Sequence, residues 1–189
     1  MLKTALKYSH ELLESCICKG DIVIDATMGN GHDTLFLSQL VGPDGHVYAF
    51  DIQEQALNNT RERLGDNIKN TTLIHDGHEN IDQYLPKSTT PKAAIFNLGY
   101  LPSGDKTIIT QAHSTLIALE WLIKNISVDG RIILVVYYGH DGGKDEKDRI
   151  LEYVQNLDQQ FFQVLNYQFL NQRNNPPLCI CINKIKSLT

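Results

Sequence analysis

The sequence predicts an α/β fold: a mostly parallel seven-stranded sheet with helices on both faces and an antiparallel hairpin at its C-terminal end. Three observations predict it. Runs such as Ile22-Val23-Ile24 and Ile132-Ile133-Leu134-Val135-Val136 are aliphatic without alternation, as strands covered on both faces are. Segments with apolar residues at helical spacing lie between such runs, so strand and helix alternate along the chain. Finally, Asp25, Asp51, Asp76, Asn97 and the Tyr138-Gly139-His140 group close five separate strands. An open parallel sheet binds ligands at that edge, and core packing gives no reason for polar residues at every strand end.

In chain order, Leu2, Leu6, Leu13 and Ile17 mark an amphipathic helix over about residues 2–18, stopped by Gly20. Tyr8, Ser9 and His10 fall in its middle; such residues ordinarily face solvent, though a first helix can also wall a pocket. The first strand, 22–24, runs into Asp25-Ala26-Thr27-Met28-Gly29-Asn30-Gly31-His32-Asp33-Thr34, and Leu35, Phe36, Leu37, Leu40 and Val41 then cover one face of a helix. Gly42-Pro43-Asp44-Gly45 returns the chain to a second strand, 46–50, closed by Asp51. Residues 53–64 form a helix that buries Ala56, Leu57, Thr60 and Leu64, with Arg61 and Arg63 suited to its negative end. A third strand, 71–74, leads to Asp76, and a fourth, 92–96, to Asn97-Leu98-Gly99-Tyr100-Leu101-Pro102. The loop Ser103-Gly104-Asp105-Lys106 enters a helix marked by Ile108, Ile109, Ala112, Leu116, Leu119 and Ile123. After the fifth strand, 131–136, a helix places Ile150, Val154, Leu157 and Phe161 on one face, and strands 162–169 and 178–184 finish the chain.

Residues 1–189 make one domain, long enough to bury a substantial core. With 42% hydrophobic residues and no apolar run of bilayer length, the composition is that of a soluble globule without a membrane partner. No signal peptide is apparent, so the expected location is cytoplasmic. Cys16/Cys18 and Cys179/Cys181 lack zinc-type spacing; reduced buried thiols are expected, and no metal site. The net charge of −5 argues against holding nucleic acid by bulk attraction. A local basic face drawn from Lys3, Lys7, Arg173, Lys184 and Lys186 stays open beside the plainer reading of solvated charges.

The stretch from Asp25 to Thr34 carries the chemistry. Gly29 and Gly31 let the backbone approach a ligand at the start of a helix. A dinucleotide fingerprint would need a third glycine where Thr34 stands, and the Gly-Lys-Ser/Thr of a P-loop is absent. An acid at the first strand end, a Gly-x-Gly turn, and Asp51 placed for both ribose hydroxyls of an adenosine remain. This layout resembles the first motif of class I S-adenosylmethionine-dependent methyltransferases, with Thr27 where many carry a glycine. Asn97-Leu98-Gly99-Tyr100 resembles the Asn-Pro-Pro-Tyr signature of methyltransferases that modify an amino nitrogen, with Leu98 and Gly99 replacing both prolines.

Asp25 to Thr34, Phe50-Asp51-Ile52-Gln53, Gly77-His78-Glu79, Phe96 to Pro102, Tyr138-Gly139-His140 and Asn171 to Pro177 together resemble a small bacterial family labelled rRNA methylases, which includes the MnmM-type tRNA methyltransferases. That resemblance implies methylation of the aminomethyl group on the wobble uridine of tRNA, with the anticodon arm as partner and a homodimer as a plausible assembly. It implies a cofactor pocket of Asp25, Thr27, Gly29, Asn30, Gly31, Asp33, Thr34, Asp51, Gln53, Asp76, Gly77, His78 and Asn97. The substrate side would be Tyr100, Tyr138, His140, Arg173 and Asn175. Asn97, Tyr100 and His140 are the catalytic candidates: an amide oxygen to accept from the amine, a ring to stack on the base, and an imidazole to take a proton. Asp76 as a turn or cap residue, and Asn97 and Tyr100 as a turn and a packing residue, are the plainer alternatives. A methyltransferase acting on rRNA or a small molecule, or a non-catalytic cofactor-binding subunit, are the rival functions.

Overall fold

The computed structural model describes residues 1–102 and 107–188. The described residues form seven strands, β1 (Ile22–Asp25), β2 (His46–Asp51), β3 (Thr71–His75), β4 (Ala93–Leu98), β5 (Arg131–Val136), β6 (Phe162–Tyr167) and β7 (Leu178–Lys184). They pair in the order β3-β2-β1-β4-β5-β7-β6. The pairs among β1 to β5 are parallel, whereas β7 runs antiparallel to both β5 and β6. The chain turns left from β1 to β2 and β3, then crosses to β4 and β5 on the other side, so a topological switch point opens between β1 and β4.

Among the described residues six α-helices accompany the sheet: α1 (Ala5–Glu14), α2 (His32–Val41), α3 (Glu54–Leu64), α4 (Ile81–Tyr84), α5 (Ala112–Asn125) and α6 (Gly143–Gln155). Alternate strand residues face opposite ways, and both faces are covered. Val23, Ala49, Ile95, Ile133 and Cys181 pack with Leu13 of α1, Leu37 of α2 and Leu57 of α3. Ile24, Phe50, Phe96, Leu134 and Ile180 pack with Ile81 of α4, Leu119 of α5 and Ile150 of α6.

Several element boundaries differ from the sequence reading. Helix α1 begins at Ala5, where the Thr4 side chain accepts from the Lys7 amide, and it ends at Glu14, short of residue 18. Arg131 on β5 donates to the Leu12 carbonyl at 2.6 Å and so supplies a partner to the last turn. The expected helix residues Ile108 and Ile109 precede α5: Ile109 bridges Tyr100, and the Thr110 amide donates to Gly99 O. The entry loop 103–106 lies outside the described residues. The unit after β3 is a 3₁₀ turn, His78–Asn80, and the single-turn α4. Leu157 and Phe161 pack on the core beyond the end of α6, and β6 stops at Tyr167.

The four cysteines are free; Cys179 and Cys181 are buried, but Cys18 is exposed. Lys184 is the larger correction. Only 6% exposed, it belongs to no basic face: its ammonium donates to the carbonyls of Ile123, Lys124 and Ile126 at the C-terminal end of α5. A charged terminus of a flexible stem has found the negative end of a helix. Lys3 pairs with Glu11 on α1.

Candidate active site

The carboxyl ends of β1, β2 and β4 build one site around the switch point. Asp25 is fully buried behind the glycine turn, accepting from the Thr27 amide at 3.2 Å and from the Thr34 hydroxyl at 2.6 Å. Burial first, and then the neighbouring Asp33 carboxylate, hold its pKa well above the usual carboxylate range. Thr34 is equally buried, so these two residues shape the turn from beneath and present no surface to a ligand. Thr27 spans the switch point: its hydroxyl accepts from the Asn97 amide at 2.7 Å.

Gly29 and Gly31 hold φ of +51° and +78°, in the left-handed region. Gly31 has a second reason to lack a side chain, since a Cβ there would stand 2.8 Å from Thr60 Cα on α3. Thr60 also donates to Gly29 O, and Arg63 donates to Asn30 O at 2.6 Å, so Arg63 braces the turn rather than serving its own helix end. The Asn30 side chain accepts from Asn59 and donates to Pro102 O, tying the turn to the loop after β4.

Asp51 closes β2, accepting from the Gly29 amide at 3.0 Å and the Gln53 amide at 2.9 Å, and burial raises its pKa. Asp76 sits beside it through a β-bridge. Its oxygens accept from Gly77 N, Asn80 Nδ2 and the Tyr84 hydroxyl, with Tyr84 the chief cause of its lowered pKa. These are the bonds of a turn-capping aspartate: Oδ1 accepts twice, from Gly77 N and Asn80 Nδ2, and Oδ2, which accepts from Tyr84 alone, keeps a lone pair. His78 is buried edge-to-face with Phe96, Nδ1 donating to Ala26 O at 3.0 Å and Nε2 without a partner among the described residues.

Asn97 is the penultimate residue of β4, with its Nδ2 donating to Asp33 at 2.6 Å. Tyr100, 40% exposed, meets the His140 ring edge-on at 5.8 Å. His140 donates from Nδ1 to Asp141 O at 2.9 Å; its Nε2 is buried beside Gly99, without a partner among the described residues. Because a carbonyl only accepts, Nε2 is the lone-pair end of the neutral ring. The two tyrosines after β5 part company. Tyr138, the expected substrate contact, packs on the α5–α6 face under the Lys147 ammonium, because successive residues leave a strand on opposite sides. Tyr137 stands instead against Gly99, near enough to Asp33 for that charge to help burial raise its pKa. Arg173 and Asn175 are exposed in the β6–β7 connection, and Asn175 lies against Gly139.

Tyr137, Thr110 and Glu146 were not among the sequence candidates, and His10 was expected to face solvent ahead of the alternative that its helix walls a pocket. His10 reaches Asp33 at 2.7 Å, while Ser9 is buried, so the middle of α1 faces inward. Thr110 accepts from the Gly99 amide and donates to Glu146 Oε2 at 2.7 Å; Thr115 donates to the other oxygen. Glu146 thus anchors the 97–100 segment from α6, with its pKa raised by burial. A Ser-His pair within an apolar helix stripe was the available signal for His10. Nothing local marks Glu146.

The donor set fits an adenosine that carries an amino-acid arm. Asp51 holds its carboxylate against the glycine turn at the end of β2, the left-handed turn brings backbone close, and Gly31 caps α2 without a side chain over its first N–H groups. This fold and site define a class I S-adenosylmethionine-dependent methyltransferase. Within that class the chain belongs to the family described as "Putative rRNA methylase", whose model matches residues 47–183. It is 36% identical over 186 residues to the Arabidopsis thaliana protein named tRNA (mnm(5)s(2)U34)-methyltransferase, chloroplastic, covering 93% of this chain and 68% of that one. The crystal structure of a "putative rRNA-methylase" from Clostridium thermocellum superposes with a TM-score of 0.95 at 45% identity, covering 98% of this chain and all of that one. A methyltransferase structure from Streptococcus mutans, in complex with SAH, gives a TM-score of 0.89 at 49% identity with the same coverage.

Proposed function

We propose that the protein methylates the aminomethyl group of the wobble uridine in tRNA, giving methylaminomethyluridine, with the anticodon arm as its partner. The observation that carries this reading is that the segment leaving β4 holds Asn97, with its Nδ2 on Asp33, next to Gly99, beside which His140 lies, and Tyr100, whose ring meets His140 at 5.8 Å. The likeness to the plant enzyme along nearly the whole chain supports the choice of tRNA and of base.

S-adenosylmethionine supplies a sulfonium methyl group that an amine attacks without further activation. In this reading Asp51 takes the ribose hydroxyls, Asp76 and, on releasing its bond to Asp76 Oδ1, the Gly77 amide take the adenine, and the Thr27–Gly31 turn takes the methionine arm. Asn97 accepts a hydrogen bond from the amine through Oδ1, and Tyr100 stacks on the uracil. Alignment is the main catalytic contribution, worth up to ~7–11 kcal/mol in the best intramolecular cases. A free alkylamine with a pKa near ~10.4 is protonated at neutral pH, and presenting its lone pair costs about 4–5 kcal/mol. His140 takes that proton: its Nε2 is buried, beside Gly99 and without a partner among the described residues.

Nucleoside mass spectrometry on tRNA incubated with protein and S-adenosylmethionine tests the reading. Aminomethyluridine should fall as methylaminomethyluridine rises. Label entering ribosomal RNA or a small molecule instead, or nowhere, would replace it with one of the rival functions.

A further inference from the structure

The Asn97 side chain can face its substrate in two ways that have opposite chemistry. With Oδ1 forward it accepts from an amine; with Nδ2 forward it presents a donor to another donor. The choice is made behind it. Nδ2 lies 2.6 Å from Asp33 Oδ2, and a carboxylate accepts only, so the nitrogen end is held back and the oxygen end faces the other way. Asp33 has its own anchor: Oδ1 lies 2.7 Å from His10 Nε2. Asp33 is 7% exposed, so water does not substitute freely for either contact. The His10 ring in turn lies flat on Phe36, at 4.3 Å and 17°, one helical turn along α2 from Asp33. Three elements, α1, α2 and β4, meet in one chain of contacts that ends at the amide.

We propose that His10, acting through Asp33, is a positioning residue that locks the Asn97 amide with its oxygen toward the incoming amine. The inference rests on Asn97 as the amine acceptor. A carboxylate tied at one oxygen can pivot about its last bond, and the amide hydrogen-bonded to it follows; a second tie at the other oxygen removes the pivot. In this proposal His10 and Asp33 act on the amine only through Asn97. Their contribution is to the orientation of a group that must line up nitrogen, methyl carbon and sulfur.

Three substitutions at His10 separate positioning from packing. His10→Phe keeps a ring on Phe36 and loses the nitrogen; His10→Gln loses the ring and keeps a donor for Asp33; His10→Ala loses both. Steady-state methylation of undermodified tRNA, S-adenosylmethionine affinity by calorimetry, and melting temperature are measured for each and for Asn97→Ala. His10→Phe and His10→Ala should lose about 10- to 100-fold in kcat, with KM for tRNA and cofactor affinity within about threefold of wild type. His10→Gln should recover most of kcat. In an Asn97→Ala background His10→Phe should cost almost nothing, since no amide remains to be positioned. Full activity in His10→Phe with loss in His10→Gln would overturn the proposal and leave a packing histidine. So would cofactor affinity falling in step with kcat. Wild-type turnover by Asn97→Ala is a different failure: it removes Asn97 as amine acceptor, and the positioning proposal goes with it.

Discussion

Replacing Gly31 with alanine tests the close approach on which the glycine turn depends. The residue sits at φ +78°, ψ +14°, and forcing an L side chain into that left-handed well costs about 1–2 kcal/mol. The new Cβ would also meet Thr60 at three atoms: Cα at 2.8 Å, Oγ1 at 2.9 Å and Cγ2 at 3.0 Å. Two of these belong to a side chain that can turn; the Cα belongs to the backbone of α3 and can move only with the helix. Overpacking of this kind adds about 1–3 kcal/mol. The sum, about 2–5 kcal/mol, lowers Tm by roughly 5–20 °C for a chain of this size. Gly20→Ala is the control, with φ +89° and nothing within 4 Å of its Cβ position, so it carries the backbone cost without the collision. Thermal unfolding of both variants, with and without S-adenosylmethionine, gives the collision by difference. The cofactor-dependent rise in Tm should also shrink for Gly31→Ala alone, because the turn and α3 can no longer close on each other. Equal melting temperatures for Gly31→Ala and Gly20→Ala would refute the assignment of Gly31 to helix packing.

Lys184→Met strips three carbonyls at the end of α5 of their donor. Denaturant unfolding should register a loss of about 1.5–3 kcal/mol with methyl transfer at 25 °C unchanged, whereas wild-type stability would return Lys184 to the surface charges. Glu146 holds its proton longer in the folded than in the unfolded chain, so its contribution is complete below about pH 4.5 and is lost as pH rises through the raised value. Wild type should therefore lose stability relative to Glu146→Gln as the pH rises from about 4.5, by at most ~1.4 kcal/mol per unit, and a difference that grows the other way contradicts the burial argument. For His140→Ala, rates under saturating tRNA and cofactor between about pH 6 and pH 9 should show a deficit at neutral pH that closes in alkali, where the amine loses its proton unaided. A deficit constant across that range would leave His140 a positioning group.

The sheet, its covered faces, and the edge where the polar strand ends gather were all legible in the sequence. Those follow from local regularities: aliphatic runs, helical spacing, and a polar residue at each strand end. The glycine turn, Asp51 and Asn97 were legible for the same reason, being short motifs whose chemistry is written in consecutive residues. Tertiary structure decided what could not be read locally. Which of Tyr137 and Tyr138 faces the site depends on the side from which the chain leaves β5. The burial of Lys184 depends on where α5 ends, 58 residues earlier in the chain. His10 joins Asp33 from 23 residues away and Glu146 reaches Thr110 across 36, and neither pairing leaves a periodic trace. A buried polar group must find a partner, but any element that passes within 3 Å can supply it, and only the packed chain says which one does.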